Sequence, residues 1–495
     1  MAIPFHYLLH GVDIVAARGL HVPVAGVHYD SRQVRPGYIF VCIVGYRTDG
    51  HLYIQDAIAR GAAGFVIEKD VPLPPGVPYA RVRSSRRALA VIGANYYGQP
   101  SRSLTVIGVT GTNGKTTTSH LIEAVLRARG EHTGLIGTIW IKMGDDKQPV
   151  ERTTPESLDL QRILREMVNS GISAVTMEVS SHALYLDRVA ECEFDIGVFT
   201  NLTQDHLDFH GNLKDYLAAK MRLFQGLGEK RTKKRPSYAV VNCDDPAGRA
   251  IVQNTKVPVI TYGIREEADV RARDVRLTGE GSDFIVSCRE GDIPFKVSLP
   301  GEFNVFNSLA AICVGLREGV PVPLLQDVLR EIKGVPGRFQ RVDEGQNFTV
   351  IVDYAHTPDG LENVLRTARR IAPGRLITVF GCGGDRDAGK RPLMGRISGE
   401  LSDYSVLTSD NPRTEDAESI IRMIEKGIKE VNNASYTVIL ERYEGIRHAL
   451  HYAREGDIVV IAGKGHENYQ IIGDQVIPFD DYQVAKEILQ KEIVS

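Results

Sequence analysis

Leu104-Thr-Val-Ile-Gly-Val-Thr-Gly-Thr-Asn-Gly-Lys-Thr-Thr-Thr118 is the stretch from which the rest of this chain is read. Its β-branched apolar run, ending at Val109, reads as a buried parallel strand. The run breaks into Thr110, Gly111, Thr112, Asn113 and Gly114, followed by Lys115, Thr116 and Thr117. From Thr116 the pattern turns helical, with Leu121, Ile122, Val125 and Leu126 on one face and Gly130 as a stop signal. Strand, glycine loop, Lys-Thr and helix together present backbone N–H groups and a helix N-terminus to phosphate. Lys115 then reaches the outer phosphates, and Thr116 offers its hydroxyl to Mg²⁺. The strict Walker spacing fails by one position, because its first glycine falls on Val109. Gly384-Asp-Arg-Asp-Ala-Gly389-Lys390 keeps that spacing better, yet Arg391 stands where the metal-binding hydroxyl is needed. Context therefore selects the first loop and rejects the second.

A chain of 495 residues is too long for one core and suggests about three domains. Hydrophobic content of 43% and charged content of 24% are those of a soluble globular enzyme. The net charge of −3 argues against nucleic acid as a partner and leaves phosphate-rich ligands to local clusters. The basic run 230–235 reads as a solvated loop. No apolar run approaches the roughly 18 residues of a membrane span, and the N-terminus lacks the pattern of a signal peptide. Cys42, Cys192, Cys243, Cys288, Cys313 and Cys382 are scattered without metal spacing, as expected of free thiols in a reducing cytoplasm.

Three blocks are expected: 1–98, of short mixed strands and helices; 99–334, around the glycine loop; and 335–495. The last alternates strand-like runs (349–352, 376–380, 405–408, 458–462) with helical stretches, the pattern of a doubly wound parallel sheet. Polar, glycine-containing clusters follow the strands of the second and third blocks, at 178–182, 201–210, 353–356, 381–386, 410–413 and 463–467. Ligands of open α/β sheets bind outside the carboxyl ends of strands, so these clusters predict a cleft between two α/β domains. Glu178, closing an apolar strand, suits a Mg²⁺-holding acid. His182 and His206 are candidates for a second metal or a phosphate contact.

Gly111-Thr-Asn-Gly-Lys-Thr116, Glu178-Val-Ser-Ser-His182, Asn201-Leu-Thr-Gln-Asp-His206, Phe306-Asn307, Gly337-Arg338-Phe339 and Asp353-Tyr-Ala-His356 together resemble the Mur ligase family. These are the ATP-dependent amide-forming enzymes that build the peptidoglycan stem peptide. Asp30-Ser-Arg32, Arg35-Pro-Gly37 and Asp49-Gly-His51 extend the resemblance over nearly the whole chain. Thr153-Thr-Pro-Glu156, Gly383-Gly-Asp-Arg-Asp387 and Asp410-Asn-Pro-Arg413 are similar to the tripeptide-forming branch. A close rival within the superfamily, folylpolyglutamate synthase, is opposed by Asp30-Ser-Arg32 and Asp410-Asn-Pro-Arg413.

The resemblance implies an α/β protein of three domains: a small mixed α/β N-terminal domain, a central P-loop ATPase-type parallel sheet and a C-terminal Rossmann-like domain. It implies ATP and Mg²⁺ as cofactors, and UDP-N-acetylmuramoyl-L-alanyl-D-glutamate and meso-diaminopimelate as substrates of a monomer. Lys115, Glu178, His206 and Lys220 would be catalytic, and Asn307, Arg338 and Asp353 would contact ATP beside the glycine loop. Ser31, Thr153, Thr154, Ser180 and Arg188 would hold the muramoyl dipeptide. Arg386, Asp410, Asn411, Pro412, Arg413, Gly463 and Glu467 would form the diaminopimelate pocket. A lysine carbamylated by CO₂ occupies the place of Lys220 in the family, which makes Lys220, with Thr116, Glu178 and His206, a metal-holding group. An arginine at position 413 is similar to the diaminopimelate enzymes; its guanidinium fork suits the distal carboxylate that lysine lacks. If ATP bridges the second and third blocks, the third is expected to close on a hinge near residues 334–337.

Overall fold

The computed structural model describes residues 3–45, 48–150, 152–229, 232–332 and 334–494. Contacts divide the chain into two compact units, 1–270 with 309–324, and 271–308 with 325–495.

The first unit carries a two-stranded sheet of Ile3–Pro4 and Pro23–Val24 and two larger ones. The N-terminal one runs in the order Ile14–Arg18, Tyr79–Val82, Gly64–Ile67, Tyr38–Val41, Gly26–His28, with only its first pair antiparallel. Phe5, Leu8, Ile39, Val66 and Leu89 pack into a core against it. The larger sheet aligns Thr133–Ile136, Ala174–Glu178, Thr105–Thr110, Ile196–Phe199, Tyr238–Asn242 and Val259–Gly263, all parallel. These strands are short, β-branched and almost wholly buried, as a sheet covered on both faces requires. Register sets the site: Glu178 lies opposite Val109, and Phe199 opposite Thr110. The ends of three neighbouring strands therefore deliver Glu178, the glycine loop and Thr200-Asn201 to one edge.

The helix Lys115–Ala128 buries Leu121, Ile122, Val125 and Leu126, the face its spacing predicts. The helix Leu213–Gln225 is started by Asn212, whose side chain accepts from the Asp215 N–H at 2.9 Å. Its buried stripe is Tyr216, Ala219, Lys220, Leu223 and Phe224, so helical periodicity alone drives Lys220 inward.

The second unit contains an antiparallel meander of Val270–Leu277, Ser282–Cys288 and Gly291–Val297. It also contains a sheet ordered Gln340–Val342, Thr349–Asp353, Ile458–Ala462, Leu376–Phe380, Tyr404–Leu407, Tyr436–Val438. All of that sheet is parallel apart from its first, edge pairing. The last strand of this sheet in sequence, Ile458–Ala462, inserts between Thr349–Asp353 and Leu376–Phe380, so the loops after Asp353, Phe380, Leu407 and Ala462 share one edge. The mixed α/β class with parallel-rich sheets is as the sequence predicts.

The basic run departs from expectation. Lys230 and Arg231 lie outside the described residues, but Lys233 is not a solvated side chain. Its Nζ donates to the Leu104 and Glu193 carbonyls at 2.8 and 2.9 Å and to Asp195 Oδ2 at 2.7 Å. Arg235 pairs with Glu318 and donates to Thr105 Oγ1. Acceptors from strand starts distant in sequence capture these cations, which a reading of charge density alone does not foresee. At the expected hinge, Gly337 has a φ of +65° and is seated against Gly465 and His466, where a Cβ would collide; Gly334 meets open space.

Candidate active site

The glycine loop is braced by the strand end beside it. Thr112 N donates to the Asn201 carbonyl at 2.8 Å, and Asn113 N to Asn201 Oδ1 at 2.9 Å. Thr200 Oγ1 donates to the Asn113 carbonyl at 2.7 Å. Gly111 has a φ of +151° and would drive a Cβ into Thr200 Oγ1, so only glycine fits. Gly114, with a φ of +84°, is the N-cap of the following helix and brings no side-chain acceptor to its N-terminal amides. Thr110 Oγ1 is buried with no hydrogen-bond partner among the described residues. An uncapped helix N-terminus, a glycine turn and an adjacent buried hydroxyl suit a phosphate chain.

Lys115 Nζ folds onto the Gly111 and Thr112 carbonyls at 2.9 and 2.7 Å. Thr116 Oγ1 donates to Glu178 Oε2 at 3.0 Å. Glu178 is completely buried and also accepts from Thr138 N at 2.8 Å and Thr138 Oγ1 at 3.0 Å. Thr117 is buried beside them. Among the described residues no group of three or more His, Cys, Asp and Glu gathers as a metal cage. A hydroxyl and one carboxylate nevertheless fit Mg²⁺, which takes one or two protein oxygens and completes its shell with phosphate and water.

Lys220 is 1% exposed, and its Nζ donates to the Gly111 carbonyl at 2.7 Å. Burial, and next the charge of Lys115, hold its amine well below the ordinary lysine value, with Asp205 opposing. His206 lies on the loop after the strand Ile196–Phe199. It is half exposed, with a φ of +53°, its Nε2 is 3.4 Å from Asp205 Oδ2, and its ring is 4.8 Å from that of His182.

The residues expected to hold the dipeptide divide in two. Thr154 Oγ1 donates to the Glu178 carbonyl at 2.9 Å and accepts from Ser180 N at 3.2 Å. Ser180 caps its helix through the Ala183 N–H. Thr153 Oγ1 lies 3.1 Å from Thr138 Oγ1, one hydroxyl away from Glu178. Arg188 donates to the Thr154 carbonyl at 3.3 Å, and burial pushes its pKa down. Glu156, Arg86, Arg152 and Arg188 meet there: three guanidinium groups approach one buried carboxylate at 3.4 to 3.6 Å. That excess of positive charge suits an anionic ligand. Ser31 is separate, buried at the start of the short helix that Asp30 caps in the N-terminal sheet.

In the second unit Asp353 accepts from Phe339 N at 2.6 Å and Ala355 N at 2.8 Å. Burial raises its pKa to about 6, against the pull of Arg338. Arg338 lies over the Tyr354 ring at 5.0 Å. Asn307 Nδ2 donates to Asn304 Oδ1 at 3.1 Å.

At the edge of the Rossmann-like sheet, burial and next the charge of Glu467 raise the pKa of the Tyr469 phenol, with Asp410 adding to the rise and Arg413 and Arg386 opposing it. Arg413 takes a φ of +54° and donates through Nη1 to the Gly384 carbonyl at 2.7 Å. Asn411 Nδ2 donates to Glu467 Oε2 at 2.8 Å. Gly463 takes a φ of +115°, which strains any other residue, and a Cβ there would come within 2.6 Å of Asp410 Oδ2. Pro412 is buried, its carbonyl pressed against Gly384. Arg386 is exposed and bonds the Asp385 carbonyl. Beneath lies a sealed ion pair: Arg442 donates to both oxygens of Asp481 at 2.7 and 2.6 Å, and neither side chain is exposed. Arg442 also donates to the carbonyls of Ser409 and Ala462, the residues preceding Asp410 and Gly463. Sequence reading gave Glu156 no role and missed Thr138, Arg86, Arg152, Arg442 and Lys464. Thr138, two residues past the strand Thr133–Ile136, had a signal of the kind used elsewhere, a polar residue after an apolar strand.

A P-loop sheet with an acid and a buried lysine at its edge and, in the other unit, a Rossmann-like sheet with an acid-and-arginine rim are the parts that an ATP-dependent ligase needs. Three family descriptions match in order: Mur ligase family, catalytic domain over residues 23–97; Mur ligase middle domain over 109–315; and Mur ligase, glutamate ligase domain over 337–465. The chain belongs to the Mur ligase family. It is 47% identical over 470 residues to UDP-N-acetylmuramoyl-L-alanyl-D-glutamate–2,6-diaminopimelate ligase of Syntrophomonas wolfei, covering 95% of both chains. It is 49% identical over 469 residues to the enzyme of the same name from Geobacillus thermodenitrificans, again covering 95% of each. A solved structure of a ligase of that name matches with a TM-score of 0.71 at 33% identity, over 99% of both chains. Folylpolyglutamate synthase of Mycobacterium tuberculosis shares the fold, with a TM-score of 0.62 at 16% identity over 76% of this chain and 92% of that one. Among the described residues no helix is long and apolar enough to cross a membrane.

Proposed function

We propose that this chain is an ATP-dependent amide ligase that joins meso-diaminopimelate to UDP-N-acetylmuramoyl-L-alanyl-D-glutamate, a step of peptidoglycan precursor synthesis in the cytoplasm. The observation that carries the substrate assignment is the loop edge near Tyr469, where Asn411 bonds Glu467, Gly463 sits against Asp410 and the Arg413 guanidinium bonds the Gly384 carbonyl. A guanidinium and two carboxylates match the distal carboxylate and the ammonium of diaminopimelate. Lysine would leave Arg413 facing an ammonium.

The reaction runs in two steps. A D-glutamyl carboxylate oxygen attacks the γ-phosphorus of ATP, and ADP leaves, giving an acyl phosphate. The amine of diaminopimelate then attacks the acyl carbon; the tetrahedral intermediate expels phosphate, and the nitrogen gives up a proton. Both steps bring like charges together, so positioned cations supply most of the catalysis. In this reading Lys115 leaves the loop carbonyls for the outer phosphates, and the amides at the start of helix Lys115–Ala128 hold the remaining phosphate oxygens. Thr116 and Glu178 would hold Mg²⁺, which would supply positive charge to neutralise the phosphates. Thr153, Thr154, Ser180, Arg188 and Ser31 hold the muramoyl dipeptide, and Asn307, Arg338 and Asp353 are further ATP contacts.

Lys220 is assigned as a carbamate. Its buried, neutral-leaning amine is the form that captures CO₂, and the product exchanges a cation for an oxygen ligand suited, with His206, to a second hard metal. The division of labour is 1–98 for the nucleotide-sugar substrate, 99–334 for ATP and 335–495 for the amino acid, in a monomer. Phosphate release from ATP, assayed with the muramoyl dipeptide and each of meso-diaminopimelate and L-lysine, tests the assignment. Equal turnover of the two amino acids overturns it.

A further inference from the structure

Lys464 is a lysine with no exposure at all, placed between Gly463 and Gly465 after the strand Ile458–Ala462. Its Nζ lies 3.4 Å from Glu467 Oε2, 3.3 Å from Asn411 Oδ1 and 5.5 Å from the centre of the Tyr469 ring. Asn411 is fixed in turn: its Oδ1 accepts from Ile471 N at 2.9 Å, and its Nδ2 donates to the same Glu467 oxygen at 2.8 Å. The glycines on either side of the lysine are closely packed. A Cβ on Gly463 would meet Asp410, and one on Gly465 would meet Tyr354 at 2.6 Å.

We propose that Lys464 is a positioning residue that keeps Glu467 ionised and aimed at the far-end ammonium of the amino-acid substrate, and so sets amino-acid affinity. This rests on the assignment of the Tyr469 rim as the amino-acid pocket. The charges facing Glu467 decide the matter. Burial and the nearby Asp410 favour its protonated form, whereas Lys464 and the Asn411 amide favour the carboxylate. Tyr354 and Tyr469 are neutral neighbours whose own protons are held more tightly beside Glu467. Arg442 also faces Glu467, but its guanidinium is committed to Asp481. Lys464 is therefore the cation that balances the two rim acids before substrate arrives.

The test is the KM for meso-diaminopimelate of Lys464→Met between pH 6.5 and 8.5. Without the cation Glu467 takes up a proton, so KM rises by about tenfold for each unit that its pKa passes above the assay pH. The gap from wild type closes as the pH rises. A gap of equal size at every pH, or none, overturns the proposal. Lys464→Met/Glu467→Gln removes both buried charges and remains available if the single variant does not fold. It is expected to show the KM of Glu467→Gln alone, and a further rise in the double variant overturns the proposal. A wild-type protein inactive with meso-diaminopimelate defeats the substrate assignment instead. The Lys464 claim then stands or falls on the Glu467 carboxyl titration followed by ¹³C NMR without substrate, which Lys464→Met must shift upward.

Discussion

Lys115 and Lys220 donate to one and the same oxygen, the carbonyl of Gly111, at 2.9 and 2.7 Å. Burial, and next the repulsion between two amines on one acceptor, make the more buried amine hold its proton less tightly. The deeper one is Lys220.

For Lys220 the sign of the linkage is clear. The unfolded chain binds a proton there that the native chain resists, so the stability cost is present at neutral pH and fades as pH rises to the ordinary value of 10.5. Lys220→Met should raise the melting temperature at pH 7 in CO₂-free buffer, by an amount that shrinks toward pH 10. Lys220→Ala should nearly abolish turnover, and a small carboxylate in solution should partly restore it. Full activity of Lys220→Ala refutes the carbamate role.

Asp353 behaves in the opposite sense. Its carboxyl, raised from 3.8 to about 6, binds its proton more tightly in the native state. The stability this contributes is complete below pH 3.8 and is lost as pH rises through about 6. Asp353→Asn stays neutral, so its melting temperature relative to wild type should climb between pH 4 and pH 7. One backbone amide loses its acceptor, which costs about 1–3 kcal/mol at every pH. The KM for ATP should rise in the same variant. A pH-independent difference in melting temperature contradicts the titration argument.

Arg413→Ala should raise the KM for meso-diaminopimelate by the equivalent of about 2–5 kcal/mol, the range for breaking a buried charge-assisted pair. The KM for ATP should hardly move. Steady-state kinetics with each substrate varied in turn separate the two, and parallel rises in both assign Arg413 to the fold instead.

Arg442 and Asp481 form a sealed pair, and removing one partner strands the other. Arg442→Met should cost about 3–5 kcal/mol in chemical denaturation, whereas Arg442→Met/Asp481→Leu should recover most of the loss. The double variant should still bind diaminopimelate weakly, because the Ser409 and Ala462 carbonyls lose their shared donor. Equal stability of the single and double variants contradicts the pairing argument.

Local pattern carried much of this protein. The strand, glycine loop and helix of residues 104–128 need only neighbours within a few positions, so their spacing reveals them. Glu178 was visible as the acid closing an apolar strand. Lys220 was visible on its helix, whose periodicity also decides that it points inward. Asp410 to Arg413 were visible as a motif, and Arg413 as its charged end.

Other features required partners far apart along the chain. Lys220 meets Gly111 across 109 positions, and Thr116 meets Glu178 across 62. Thr138 becomes meaningful only when the register Met177↔Ile136 brings its strand end beside Glu178. Lys233 looked like one charge in a solvated run, until three acceptors from other segments captured it. Lys464 looked like part of a glycine loop, until folding buried it against Glu467 and Asn411. The sequence by itself determined which residue types stand at the strand ends, because a strand and the loop after it are written in consecutive letters. Tertiary structure alone decided which of those charges share an oxygen, lose water and shift their protons, because burial and Coulomb interaction depend on distance in space and not on position in the chain.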